Sequence, residues 1–212
     1  MNIHLYLQVF RFDHWIKNIF SLFGSVGCII FFKIPLTIEL ALIMMAAFLL
    51  SCFISSVNYI VNEILDSPFD KLHPIKKNRP IPSERVTVRK LWITAGVIFL
   101  LVEVLAWAYF PKGFNRSLLA LFIAALFYNV RPIRMKDLPY LDVICESINN
   151  PIRLLIGWYA IPATETWPPL SLIWLFWFFG AFLMTAKRLA EYRLLGRRAN
   201  PYRSVFNYYS DI

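Results

Sequence analysis

The chain predicts an all-α fold, a polytopic bundle of transmembrane helices, and three observations lead there. Hydrophobic residues make up 58% of the 212 residues, and the mean hydropathy is +0.56, outside the range of soluble globular domains. Six apolar stretches approach the roughly 20 residues that a helix needs to cross a bilayer. The basic residues gather in alternate connections, as they do when charge sets membrane orientation.

Taken in order, the predicted spans run over 18–34, 38–61, 91–110, 116–130, 139–162 and 170–187. Backbone polar groups in lipid must be satisfied within the segment, so each is read as a helix. No alternation of apolar and polar residues suggests barrel strands. Arg11 and Lys17 precede the first span, and the 66–90 loop, the 131–136 segment and the tail from Lys187 carry most other cations. Only Lys33, Lys112 and Arg116 fall in the opposite connections. The amino terminus and the three basic loops are therefore expected in the cytoplasm. Trp15, Trp107, Trp158 and Trp167 fall near predicted interfaces, as belt residues do.

The net charge of +9 suits orientation and contact with anionic lipid or phosphate better than nucleic acid, which is not an expected partner. Cys28, Cys52 and Cys145 lie in apolar segments without paired spacing, and His4, His14 and His73 have no zinc spacing. The first apolar run follows charged and aromatic residues and lacks a small-residue cleavage site, unlike a signal peptide.

Chemistry concentrates where the second span meets its basic loop. Asn62, Asp66 and Asp70 recur one helical turn apart, so an amide and two carboxylates line one side of a helix end. Carboxylates at a membrane boundary need partners. Magnesium prefers such oxygen ligands, with waters and substrate phosphates completing its shell. Lys76, Lys77 and Arg79 follow, suited to phosphate oxygens. Glu63 points about 100° from Asn62 and is read as a supporting group. Ser83, after Pro80 and Pro82, is a candidate cap for the next helix.

Three further groups lie in register with the first. Tyr128, Asn129, Arg131, Arg134, Lys136 and Asp137 form a basic segment on the same predicted side, fit to bind phosphate or simply to turn the chain. Asp142, Glu146, Asn149 and Arg153 share one face of the fifth span, with Asn150 beside them. They are either an Asp142/Glu146-to-Arg153 ladder that joins helices or the polar wall of a cavity. Lys187, Arg188 and Glu191 close the sixth span, where i,i+4 pairing is also common. The 19 Phe and 10 Tyr suit membrane packing, and an aromatic cavity would also shield a carbocation.

The run Asn62-Glu63-x-x-Asp66-x-x-x-Asp70, followed by His73-Pro-x-Lys76-x-x-Arg79-Pro, resembles the first aspartate-rich motif of the UbiA prenyltransferase superfamily, with Glu63 where aspartate is usual. Phe10 to Asn18 is similar to that family's entry into its first helix, Tyr128 to Asp142 to the segment before the fifth, and Lys187 to Glu191 to its second loop. The resemblance implies a fold of typically nine helices, so residues 1–212 are expected to form a single integral membrane domain lacking the last helices. It implies Mg2+ on Asn62, Asp66 and Asp70, with Asp66, Asp70 and Arg134 in the catalytic role. Asn62, Lys76, Arg79, Tyr128, Lys136, Asp142, Arg153, Lys187 and Glu191 would contact substrate. The implied reaction transfers a prenyl group from a prenyl diphosphate to a small-molecule acceptor in a bacterial inner membrane, with membrane lipid as surroundings. Glu191 as the lone acid of the second loop, with the His-Pro-x-Lys run, looks more like the branch that moves phosphoribose onto a polyprenyl phosphate. A non-catalytic lipid-binding or scaffold protein, or a transporter working through Arg153 and Asp142, is the reading from another class.

Overall fold

The structure, a computed structural model, describes residues 3–162, 166–195 and 205. Among these residues eight α-helices run in order: α1 (Ile3–Val9), α2 (Ile19–Phe32), α3 (Ile38–Asp70), α4 (Val88–Tyr109), α5 (Lys112–Asn129), α6 (Leu141–Ser147), α7 (Asn149–Ala160) and α8 (Leu170–Leu195). Short 3-10 turns occupy Phe12–Asn18, Lys76–Asn78 and Met135–Asp137. The described residues contain no strand.

The 33-residue α3 is the element that places the site. At 1.5 Å per residue it is about 50 Å long, well beyond the roughly 30 Å of a hydrocarbon core. Thr37 starts it by accepting the Leu40 N–H on its side-chain oxygen at 3.2 Å, and Pro68 lies in its last turn. A proline lacks the N–H that continues a helix, and α3 stops two residues later. Its final two and a half turns carry Asn62, Asp66 and Asp70 to the end of the apolar stretch.

The predicted fifth span is not one helix. It is interrupted at Ile148, between α6 and α7, where Pro151 has no N–H for the carbonyl of Ser147 four residues back, while Ile148 itself keeps helical dihedrals, φ −61° and ψ −20°. Among the described residues four stretches are long and apolar enough to cross a membrane: His4–Phe32, Ile38–Asp70, Val88–Tyr109 and Leu170–Arg193. α5, with 18 residues, begins on Lys112 and carries Arg116, and α7 has 12 residues.

α7 sits among α2, α3, α5 and α8 and is buried from Leu154 to Ala160 except at Leu155. It approaches α2 so closely that side chains are excluded at the crossing. A methyl on Gly157 would lie 1.6 Å from the Ser21 carbonyl oxygen, and one on Gly24 2.0 Å from that of Leu154. The Ser25 hydroxyl donates to the Gly157 carbonyl at 2.9 Å across this contact. Small residues drive helix association in lipid because burying apolar surface gives little gain there. At the other end, Val9, Val57, Ile60, Ile81, Val86, Leu91 and Ala95 form a second apolar cluster, which seats α1 and the 80–86 turn on α3 and α4.

Two smaller expectations are corrected. Ser83 does not cap α4; its hydroxyl donates to the Arg79 carbonyl at 2.5 Å, inside a turn that ends before the helix begins. The Asp142/Glu146-to-Arg153 ladder does not form, because Asp142 and Arg153 are each held by another partner. Asp142 pairs with Arg188, while Arg153 Nε donates to Asn18 Oδ1 at 2.9 Å and Nη1 to Asn150 Oδ1 at 3.4 Å.

Candidate active site

Alternation of the long helices brings the 66–90 loop, the 131–140 segment and the end of α8 to one end of the bundle. Asp66 faces the 131–140 segment. Lys136 Nζ lies 2.5 Å from Asp66 Oδ1, 3.0 Å from Asn62 Oδ1 and 2.8 Å from Asn129 Oδ1. Arg134 Nη2 reaches the same Asp66 oxygen at 3.0 Å, and its Nε stands 2.7 Å from Asp137 Oδ2. The Arg134 guanidinium lies over the Phe69 ring at 4.6 Å, a cation–π contact that fixes its plane. Arg134 also has a positive φ of 27°, a conformation that the turn imposes and its contacts hold. Burial pulls the Lys136 amine below the usual lysine range, and the charge of Asp66 opposes that pull.

Asp70 is held by the other basic loop. Arg79 Nη1 donates to Asp70 Oδ2 at 3.1 Å, and Lys76 Nζ lies 3.7 Å from Oδ1. His73 shapes this loop from within. It is buried, and its Nδ1 accepts the backbone N–H groups of Ile75 at 3.1 Å and Lys76 at 3.2 Å. Both bonds require a neutral imidazole, and burial, then the charge of Lys76, hold His73 below its ordinary value of 6.5.

Asp142 and Arg188 form a third pair, with Nε 2.6 Å from Oδ2. Arg188 also reaches Glu191 Oε2 at 3.4 Å and donates to Tyr128 Oη at 3.2 Å. The structure therefore ties Tyr128, Asp142 and Glu191 through one arginine, while Lys187 is exposed at the same helix end. Arg153 stands apart, in a buried network with Asn18, whose Oδ1 also accepts the Ser55 hydroxyl at 3.0 Å. Arg188, Asn129 and Asn18 are contributors that sequence reasoning did not assign. Arg188 and Asn129 adjoin residues it did, and both stand in basic segments it singled out.

Among the described residues no three His, Cys, Asp or Glu side chains form a metal cage. Asn62, Asp66 and Asp70 offer two carboxylates and an amide oxygen along about 12 Å of helix. That donor set fits magnesium of the kind that completes its shell with water and substrate phosphates rather than protein.

A membrane-embedded helical bundle with acids and cations interleaved at one end defines a class, and comparison with known proteins gives the family. The chain matches the UbiA prenyltransferase family over residues 21–205, and it belongs to that family. It is an integral membrane protein. The decaprenyl-phosphate phosphoribosyltransferase of Mycolicibacterium smegmatis is 27% identical over 210 residues, covering 96% of this chain and 62% of that protein. The digeranylgeranylglyceryl phosphate synthase of Sulfurisphaera tokodaii is 27% identical over 139 residues, covering 65% of this chain and 46% of that one. The chain thus spans about half to three-fifths of the length of these relatives. A UbiA homolog from Archaeoglobus fulgidus, solved with DMAPP and Mg2+, superposes with a TM-score of 0.74 at 20% identity, over 95% of this chain and 68% of that one. The same homolog bound to GPP and Mg2+ gives a TM-score of 0.74 at 21% identity, over 95% and 69%. The fold is that of the family.

Proposed function

We propose that this chain is a magnesium-dependent transferase that binds a prenyl diphosphate at the end of α3, releases pyrophosphate and passes the prenyl group to a small-molecule acceptor. The carrying observation is that Asp66 and Asp70, one turn apart, are each met by two cations from a separate loop. Asn62, Asp66 and Asp70 would hold magnesium, which when bound neutralises charge on the diphosphate. Arg134, Lys136, Lys76 and Arg79 exchange their carboxylate contacts for phosphate oxygens as substrate enters. Their N–H groups stabilise the negative charge that grows on the leaving group as the carbon–oxygen bond breaks. The bonding electron pair leaves with pyrophosphate, the acceptor's nucleophile bonds to the allylic carbon, and the acceptor gives up a proton. Until substrate arrives, pairing with acids keeps the buried cations from standing uncompensated.

Tyr128, Lys187 and Glu191 border the same end, and Arg153 lies deeper, where it would meet the acceptor. Asp142 we assign to holding Arg188 rather than to substrate. Residues 1–212 act as one membrane domain in this reading, with the basic end cytoplasmic in a bacterial inner membrane, as the charge bias supports.

A second donor is favoured by one observation: the phosphoribosyltransferase relative aligns along nearly this whole chain. Phosphoribosyl pyrophosphate has the same leaving group, with polyprenyl phosphate as acceptor. The test is pyrophosphate release by purified protein, with and without magnesium, offered a prenyl diphosphate plus an aromatic acceptor or phosphoribosyl pyrophosphate plus polyprenyl phosphate. Magnesium-dependent release with one pair supports the transferase and selects the donor. No release with either pair from folded protein counts against it and favours a lipid-binding or scaffold role.

A further inference from the structure

The exposed side of α5 carries a groove that the site at the end of α3 does not use. Ile123, Leu126, Phe127 and Val130, with Arg131 and Ile133 of the turn that follows, line a depression of about 240 Å3. Ile123, Phe127, Val130 and Ile133 are exposed, so in a membrane protein this wall is open to lipid. From Ile123 to Val130 it runs about 10 Å along the helix axis. Arg131 closes it at the end where the basic loops gather, which the charge bias assigns to the cytoplasm.

Arg131 is held unlike the other cations of its turn. Arg134 and Lys136 are buried and paired with Asp66, and Arg134 also with Asp137. Arg131 is exposed, and among the described residues no carboxylate stands within ion-pair distance of it. Its contact is the Phe69 ring, 5.7 Å from the guanidinium carbon, the same ring that Arg134 covers at 4.6 Å. A ring face orients the guanidinium but brings no negative charge to neutralise it. Two like charges thus share one ring, and only one of them has acids beside it.

An apolar wall ending on a guanidinium without an acid narrows the occupant. Hydrocarbon alone does not select the groove, because lipid tails suit every apolar face alike. A small soluble anion would meet Arg131 and leave the wall unused. A zwitterionic lipid brings an ammonium of its own to the guanidinium. A lipid of net negative charge matches the wall and the cation together, and the cytoplasmic leaflet is where such lipids make the surface negative. We propose that the groove is a site for one anionic phospholipid, with a chain along α5 from Val130 to Ile123 and the phosphate on Arg131. This lipid is a bound component of the fold, not a substrate, and its binding needs neither magnesium nor a diphosphate. The turn it steadies presents Arg134 and Lys136 to Asp66 from the other side.

The test is native mass spectrometry of the full chain, released from detergent micelles that hold equal amounts of phosphatidylglycerol and phosphatidylcholine. The first lipid retained is expected to be phosphatidylglycerol, with a preference of about fivefold, the size that one arginine near the surface provides. Arg131→Gln should bring the two lipids to parity. Arg116→Gln, which removes an exposed charge at the other end of α5, should keep the preference. Val130→Trp fills the groove, leaves Arg131 in place and should lose the bound phosphatidylglycerol; tryptophan is well tolerated at a membrane interface, so its melting curve should match the wild type. The proposal is overturned if the wild type shows no preference, or if Arg131→Gln keeps it. Equal loss in Arg116→Gln overturns it in favour of general surface charge. Retention by Val130→Trp overturns it in favour of an anion held without its chain, and a dimer retained in place of lipid makes the groove an interface between copies instead.

Discussion

Two sets of acid–base pairs lie at the same end of this bundle, and they differ in who faces water. In the Asp142–Arg188 pair the side chains are 0% and 5% exposed. At Asp66 the cations are sealed but the acid is 23% exposed; at Asp70 the acid is sealed while Lys76 and Arg79 are 32% and 31% exposed. A pair sealed on both sides joins the helices that carry it, here α6 and α8. A pair open on one side can be parted by an incoming anion or cation without unfolding anything. Solvent access, more than charge, separates the candidate site from the scaffold that carries it.

The largest effect should come from the sealed pair. Asp142→Ala leaves buried Arg188 with only Glu191, at 3.4 Å, as a charge partner and is expected to cost about 3 kcal/mol, read as a large drop in melting temperature. A conservative melt would place Asp142 among exchangeable contacts instead. Gly157→Ala comes next, because its methyl collides with the Ser21 backbone. Overpacking of this kind costs roughly 3 kcal/mol, and the loss should appear as instability with no selective change in substrate affinity.

A smaller effect is expected from pH. His73 is held neutral by burial, so its folded value is depressed and the unfolded chain binds the proton more readily. Its contribution to stability is complete above about pH 6.5 and is lost as pH falls through the lower folded value. Protonation removes the acceptor for Ile75 and Lys76, so affinity for pyrophosphate should weaken on that acid limb. His73→Asn, titrated beside the wild type, should show no such limb. The smallest effect belongs to Lys71 and Glu84, paired at 2.6 Å but 48% and 78% exposed. Lys71→Ala should leave melting temperature and turnover unchanged within error, as exposed pairs usually do.

The helices and the register of Asn62, Asp66 and Asp70 could be read from the chain because both follow from local periodicity. Hydrophobic runs announce α2, α3, α4 and α8, and a four-residue spacing announces a shared helix face. Pro151, inside the predicted span, is the sequence feature that accompanies the interruption at Ile148. Which cation meets which acid was not legible. Arg188 meets Asp142, 46 residues away, and Lys136 meets Asp66 across 70, choices made by tertiary packing. The approach of α7 to α2 depends on Gly24 and Gly157 lying opposite one another, which no local pattern states.

The most direct test compares the two kinds of pair in one assay. Magnesium-dependent pyrophosphate release would be measured for the wild type, Asp66→Asn and Asp70→Asn, with melting curves recorded on the same preparations. A loss of roughly 100- to 1,000-fold is expected in each variant, with Asp70→Asn melting close to the wild type and Asp66→Asn, whose cations are buried, losing far more activity than its lowered melting temperature explains. Variants that turn over normally, or that lose activity only in step with their stability, would contradict this expectation and make these acids part of the scaffold like Asp142.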